Sequence, residues 1–238
     1  TEIYTLSLHD ALPISFGWAQ SYPPPTTLVT IPSAGTLVRG SYAMQMRIQK
    51  DGGFTTSLRA GLTDRFQFGL SFGSANLIGD DSLIWYPRPE AHLKYRLIDE
   101  TESVPGVSMG LDTQGMGSFN SADSLMRYDV KAMGFFMAAS KNWVTPLGNL
   151  GIHAGTNYNF AEVNDGDKDI NYFFGMDIEF NPEFSVLMEY NAALNENDMT
   201  AKTMSISRGG YLNAAIRWTF VEQDRKSTRL NSSHSEIS

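Results

Sequence analysis

The residues able to do acid–base chemistry are few: the four histidines are His9, His92, His153 and His234. Serine hydrolysis needs a hydroxyl within hydrogen-bond reach of an imidazole and a third group to orient the ring. Neither His92 nor His153 has a serine two residues away. Both therefore read as members of polar hydrogen-bond networks. The run Asp165-Gly166-Asp167-Lys168-Asp169 has the carboxylate spacing of a calcium loop. It lacks glycine at the sixth place, and Met176 stands where the twelfth-position glutamate belongs, so it reads as a polar hairpin loop. There is no cysteine, which removes disulfides and thiolate metal sites. The glycines fit strands and turns, and none forms a phosphate-binding loop between a strand and a helix. The expectation is a non-enzymatic protein with no metal and no cofactor.

The elements that would position these residues are strands. From Leu37 to Gln49 the even positions read Val38, Gly40, Tyr42, Met44, Met46 and Ile48. The odd positions between them read Arg39, Ser41, Ala43, Gln45 and Arg47. Successive strand side chains point to opposite faces, so one face is apolar and the other polar. The pattern recurs, predicting strands over about 37–49, 53–62, 66–74, 89–98, 106–115, 128–141, 149–162, 170–179, 184–194 and 209–220. The segment 128–141 is the weak one. Met133, Phe135 and Met137 share a parity with Lys131 and Lys141, so its register stays open.

Connections alternate as well. Thr63-Asp64-Arg65, Asn181-Pro182-Glu183 and Thr145-Pro146-Leu147-Gly148 are short, whereas 75–88, 116–127, 163–169 and 195–208 are long and polar. In an up-and-down meander these emerge at opposite rims, as in bacterial outer-membrane barrels. Lys50 to Gly53 is short although it falls on the long-loop side. His153 follows a short turn, the wrong rim for a loop-side protease pairing Asp with His.

Composition sets further bounds. With 18 Lys+Arg against 26 Asp+Glu the formal charge is −8, which excludes a nucleic-acid partner needing a basic face. No apolar run is long enough for a transmembrane helix, but barrel strands need only about 9–11 residues with half of them apolar.

The two ends read differently from the rest. Thr1 to Ile14 and Asp224 to His234 resemble conceptual translations of short-read sequencing adapters, and residues 235–238 continue the second. The expected organisation is residues 1–14 as an adapter-derived tail, 15–36 as a signal-peptide remnant and Pro-rich lead-in, 37–223 as the barrel, and 224–238 as a second adapter-derived tail. Gly17 and Ala19 stand at −3 and −1 of a possible signal-peptidase cut before Gln20. Pro23, Pro24, Pro25 and Pro32 make the lead-in extended but not a strand. His9 and His234 fall in the tails.

Alternation alone does not say which face is enclosed. A soluble lipocalin-like barrel puts its apolar face inward, so the alternative to a membrane protein is a secreted β-barrel binding an apolar ligand. The polar face here carries Gly, Ser, Asn and mixed-sign charge, and bulky aromatics such as Phe66, Tyr95, Tyr158, Tyr172, Tyr190 and Trp218 sit near strand ends. The lipid-facing row then includes Tyr42, Met44, Phe68, Leu93, Ile152, Phe174, Ile216 and Trp218. The lumen receives Arg39, Arg47, Arg59, Glu90, Lys94, Arg96, Asp112, Asp177, Glu179, Glu189 and Arg217. Charges so enclosed must be paired or wet, which predicts a largely filled interior.

The stretches Ile31-Pro32-Ser33-Ala34-Gly35-Thr36-Leu37 and Gly61-Leu62-Thr63-Asp64-Arg65-Phe66 resemble the YjbH-like group of outer-membrane barrels, linked to exopolysaccharide export. A generic porin-like barrel is the related reading. The resemblance implies a bacterial outer-membrane location and traffic of envelope polysaccharide, and it carries over no catalytic residue. The expected fold is thus all-β, an antiparallel up-and-down transmembrane barrel of ten visible strands, ten to twelve in the parent. It would be a narrow porin-like channel or a structural or export-associated barrel. Its partners would be outer-membrane lipid, lipopolysaccharide and the barrel-assembly machinery.

Overall fold

The segments that alternate in sequence form one antiparallel sheet, and the described residues contain no α-helix, only 3-10 turns at Lys50–Gly52 and Leu194–Glu196. The structure is a computed structural model and describes residues 4–8, 25–79, 82–121, 125–197 and 209–218. Gly17, Ala19, Phe220 and the C-terminal tail lie outside these residues.

The strands are β1 Tyr4–Leu8, β2 Tyr42–Ile48, β3 Phe54–Gly61, β4 Phe66–Ala75, β5 Ile84–Trp85, β6 Glu90–Ile98 and β7 Gly106–Asp112. They continue as β8 Met116–Asn120, β9 Arg127–Val130, β10 Gly134–Thr145, β11 Gly148–Tyr158, β12 Asn171–Asn181, β13 Phe184–Asn191 and β14 Tyr211–Trp218. The spatial order is β1-β2-β3-β4-β6-β7-β10-β11-β12-β13-β14, with β5 on the end of β4 and β8–β9 as a separate hairpin. Neighbours along this path are neighbours in sequence apart from those short inserts, so the sheet is an up-and-down meander. Among the described residues no ladder joins β14 to β1 or β2. β1 lies within the stretch expected to be adapter-derived, and its backbone pairs with β2 from Tyr4 opposite Ile48 to Leu8 opposite Met44.

Two expected strands change at their ends. The first begins at Tyr42, because Arg39 and Gly40 form a turn with Gly40 at φ +79°. The segment 128–141 divides into β9 and β10 around residues 131–133. Gly134 turns the chain back at φ +67°, where an added Cβ would stand 2.4 Å from the Tyr158 carbonyl oxygen. The open register of β10 resolves with Phe135 and Met137 outward and Phe136 and Ala138 buried. Lys131 lies in the connection, and its parity was the misleading signal.

Register sorts the side chains by chemistry. Leu58 faces Leu70, and Phe68 stands between Ala60 and Leu93, forming apolar rows on one face. On the other face Ser57 pairs with Ser71 and Arg59 with Gly69. A Cβ on Gly69 would come within 2.6 Å of the Arg59 Cγ, so this glycine makes room for the arginine stem. The outcome inverts a water-soluble sheet: Ile216 is 68% exposed and Leu58 56%, whereas Glu90, Lys94 and Glu189 are buried. One-residue slippage would exchange the two sets wholesale.

The buried face is bent around residues 25–37. This segment forms no ladder beyond a single bridge between Thr27 and Pro32. Side chains of β2, β6, β7, β10, β13 and β14 all hydrogen-bond to it. Its Leu28, Val29 and Ile31 pack against Phe136, Ala138, Phe173 and Leu187 to form the hydrophobic core.

Gly110 of β7 measures how tightly the wall is built. Its Cβ position lies 2.3 Å from the Leu93 carbonyl oxygen and 2.4 Å from the Phe136 Cζ. Gly110→Val should lower unfolding stability by about 1–3 kcal/mol, read as a reduced urea midpoint with unchanged slope.

Candidate functional site: the inner face and the segment it holds

A chain enclosed without a ladder leaves its N–H and C=O groups to find partners elsewhere. Here the wall supplies them. The Glu189 carboxylate accepts from the backbone N–H of Val29 (3.0 Å), Thr30 (2.9 Å) and Ile31 (3.2 Å), from the Thr30 hydroxyl and from the Asn213 amide. Lys94 Nζ donates to the carbonyls of Thr26, Ser33 (3.0 Å) and Gly35 (3.1 Å). Arg217 donates to Thr27 (3.0 Å) and Leu28 (3.3 Å), and Arg47 to Val29 (3.2 Å). Gly175 yields space for the segment, since a Cβ there would sit 2.7 Å from Leu28 Cδ2 and 2.9 Å from Ile31 Cδ1.

The sequence placed eleven charges together inside, and the structure distributes them unequally. Arg59, Glu90, Lys94, Asp177 and Glu189 are buried, and Arg47, Arg96, Asp112, Glu179 and Arg217 are partly buried. Arg39 is a correction. It lies exposed in the turn before β2, with its backbone N–H on Asp64. The enclosed charges also do not chiefly pair with one another. Glu189, Lys94, Arg217 and Arg47 bind the backbone of residues 26–35 instead. On the opposite face Tyr42, Met44, Phe68, Phe174, Ile216 and Trp218 are exposed, and Leu93 and Ile152 partly so.

Both histidines meet a serine and an aspartate across strands, which spacing along the chain could not reveal. Ser140 of β10 pairs directly with His153 of β11. Ser140 Oγ lies 2.7 Å from His153 Nδ1, and His153 Nε2 lies 2.7 Å from Asp177 Oδ1. This has the connectivity of a nucleophilic triad. However, Ser140 Oγ also accepts the Ala34 N–H at 2.8 Å and is buried beneath that residue. The line fastens the inserted segment to the wall and leaves no place for an acyl group. In the second set His92 Nδ1 is 2.9 Å from Asp112 Oδ2, and Nε2 is 2.9 Å from Ser71 Oγ. Ser71 donates its proton to Gln114 Oε1, because the Gln114 amide nitrogen is engaged by the Gly115 carbonyl. With its proton on Gln114, the Ser71 hydroxyl is committed to this side-chain network, which ties β4, β6 and the segment after β7 together.

The long connections close one end. Asp165, expected in a plain polar loop, is buried and pairs with Lys131 Nζ (2.7 Å) and Arg127 Nη1 (2.5 Å). Glu196 accepts from the Lys131 N–H (2.6 Å) and the Tyr211 hydroxyl (2.9 Å). Glu162 accepts from the N–H groups of Tyr128 (2.7 Å) and Ala132 (2.6 Å). Burial pushes both Glu162 and Glu196 above the usual carboxylate range, against the opposing pull of Arg127 and these donors. Among the described residues no group of His, Asp and Glu could hold a metal ion.

No protein-family model matches the chain, and neither the curated proteins nor the solved structures contain a significant match to it.

Two predictions follow from this geometry. Glu189→Ala strands three consecutive N–H groups, those of Val29 and Ile31 buried and that of Thr30 partly so, and charged hydrogen bonds contribute about 1.5–3 kcal/mol each. A stability loss of about 3 kcal/mol or more is expected in urea titration, with new protease cleavage within residues 25–37. The raised carboxyls bind protons more tightly in the folded than in the unfolded chain. Their contribution to stability is present below the unfolded value, near 4.3, and lost as pH rises through the folded values. Glu162→Gln should flatten the decline of the urea midpoint as pH is raised through and above that range.

Proposed function

We propose that this chain is a non-enzymatic transmembrane β-barrel of the bacterial outer membrane, its lumen filled by its own residues 25–37. The observation that carries this reading is the continuous apolar outer face set against an enclosed charged one. Rows of Met, Leu, Ile and Phe exposed on strand after strand would be unfavourable in water and are what hydrocarbon requires. Trp143, Phe180, Phe184 and Trp218 stand at strand ends beside the short turns, where an interfacial girdle belongs, and Trp85 stacks on Phe72 toward the other rim. Closure of β14 onto the first strands belongs to the same proposal, since it would remove two open edges from the lipid.

The filled interior favours a structural or export-associated barrel over an open channel. Two cavities among the described residues measure about 50 and 20 Å³. A porin-like path through them would admit nothing larger than water and small inorganic ions. A soluble carrier of apolar ligands would need a greasy cavity, and both cavities are instead flanked by Arg59, His92 and Asp112. The YjbH-like resemblance of 31–37 and 61–66 is consistent with export of envelope polysaccharide. In that setting lipopolysaccharide and the barrel-assembly machinery are the natural partners.

The membrane reading is tested by extraction and electrophoresis. The protein should leave the membrane fraction only with detergent, and unheated samples should migrate differently from boiled ones. In reconstituted vesicles brominated lipids should quench tryptophan fluorescence strongly. A secreted, freely soluble protein with no lipid quenching would sink the proposal.

A further inference from the structure

The buried charges are almost all accounted for, and Arg59 is the exception. Its side chain is 8% exposed, yet among the described residues its guanidinium makes no hydrogen bond or ion pair, and its Nε is enclosed without a partner. Arg47, from the adjacent strand, spends one terminal nitrogen on the Val29 carbonyl and also has an enclosed, unpartnered Nε. The two positive charges repel one another, and Asp112 attracts both without contacting either. Asp112 is already engaged by His92 at 2.9 Å. Glu189, the other nearby carboxylate, is saturated by the N–H groups of residues 29–31.

Both arginines border the 50 Å³ cavity, together with Gln45, Ser57, His92 and Asp112. Arg59, His92 and Asp112 also border the 20 Å³ cavity, so the guanidinium stands between the two spaces. An enclosed cation without a counter-charge is strongly unfavourable, whereas a guanidinium offers paired N–H donors matched to an oxyanion. At about 10–15 Å³ per water-sized atom, 50 Å³ holds a halide or a single tetrahedral oxyanion and nothing larger. We propose that Arg47 and Arg59 form a binding site for one small inorganic anion within the sheet, next to the His92–Asp112 pair. The site belongs to the inner face and stands whether lipid or water lies outside.

The probe is inorganic phosphate titrated calorimetrically into the purified full-length chain, with bromide as the second probe. Wild type should bind phosphate saturably at a stoichiometry of one. Arg59→Gln should weaken binding at least tenfold, whereas Arg39→Gln, in the exposed turn, should leave it unchanged. Should Arg59→Gln fail to fold, Arg59→Lys keeps the charge but loses the paired donors, and it should still weaken phosphate binding severalfold. Crystals soaked in bromide should show an anomalous peak beside Arg59. Absence of saturable binding by wild type, equal losses in the Arg59 and Arg39 variants, or a bromide-soaked cavity with no anomalous peak would each overturn the proposal.

Discussion

The structure depends on satisfying the backbone of one enclosed segment. Residues 25–37 sit where no strand partners them, so every N–H and C=O there would otherwise be lost hydrogen-bonding capacity. Glu189 answers three consecutive donors, while Lys94, Arg217 and Arg47 answer the carbonyls between Thr26 and Gly35. The sign of each of these four wall charges follows from which backbone group it meets. Small residues follow from the same demand, as with Gly175 beneath Leu28 and Ile31. The inner face is thus built around a strip of main chain, and its few apolar members, Phe136, Phe173 and Leu187, mark where that strip turns greasy side chains to the wall.

Much of the wall was legible in the residues. Strict alternation in Phe66–Phe72, Ala91–Leu97 and Leu212–Trp218 fixed both strand and parity, because the side-chain period of two leaves no other arrangement of those residues. The prolines correctly spoke against a strand over residues 25–36. They were silent on where that segment goes, because its partners lie up to 190 residues away. The register of β10 was hidden by Lys131, whose charge belongs to the loop cluster and not to the strand. Arg39 misled for a related reason: its parity matched the polar row, but it lies in the turn with Gly40, before the extended conformation begins at Tyr42.

The serine–histidine–aspartate lines illustrate a different boundary. Ser140 and His153 are thirteen residues apart and become neighbours only because the intervening hairpin has a particular register. No local motif encodes that adjacency. Their meaning is also positional. The Ala34 N–H on the Ser140 hydroxyl turns what looks like reactive machinery into a fastening between wall and inserted segment. The loop cluster of Arg127, Lys131, Asp165 and Glu196 makes the same point at the rim, where residues that look solvated in sequence are buried.

Chain order adds a temporal side to this arrangement. Residues 25–37 precede β2 in the chain, while Glu189 and Arg217, two of their principal anchors, stand 160 and 190 residues further on, in β13 and β14. Without β13 and β14 the segment loses the carboxylate on three of its N–H groups and the guanidinium on two of its carbonyls. Such long-range dependence is slow to satisfy and cooperative once satisfied. Correct seating of residues 25–37 therefore depends on β13 and β14 standing in register.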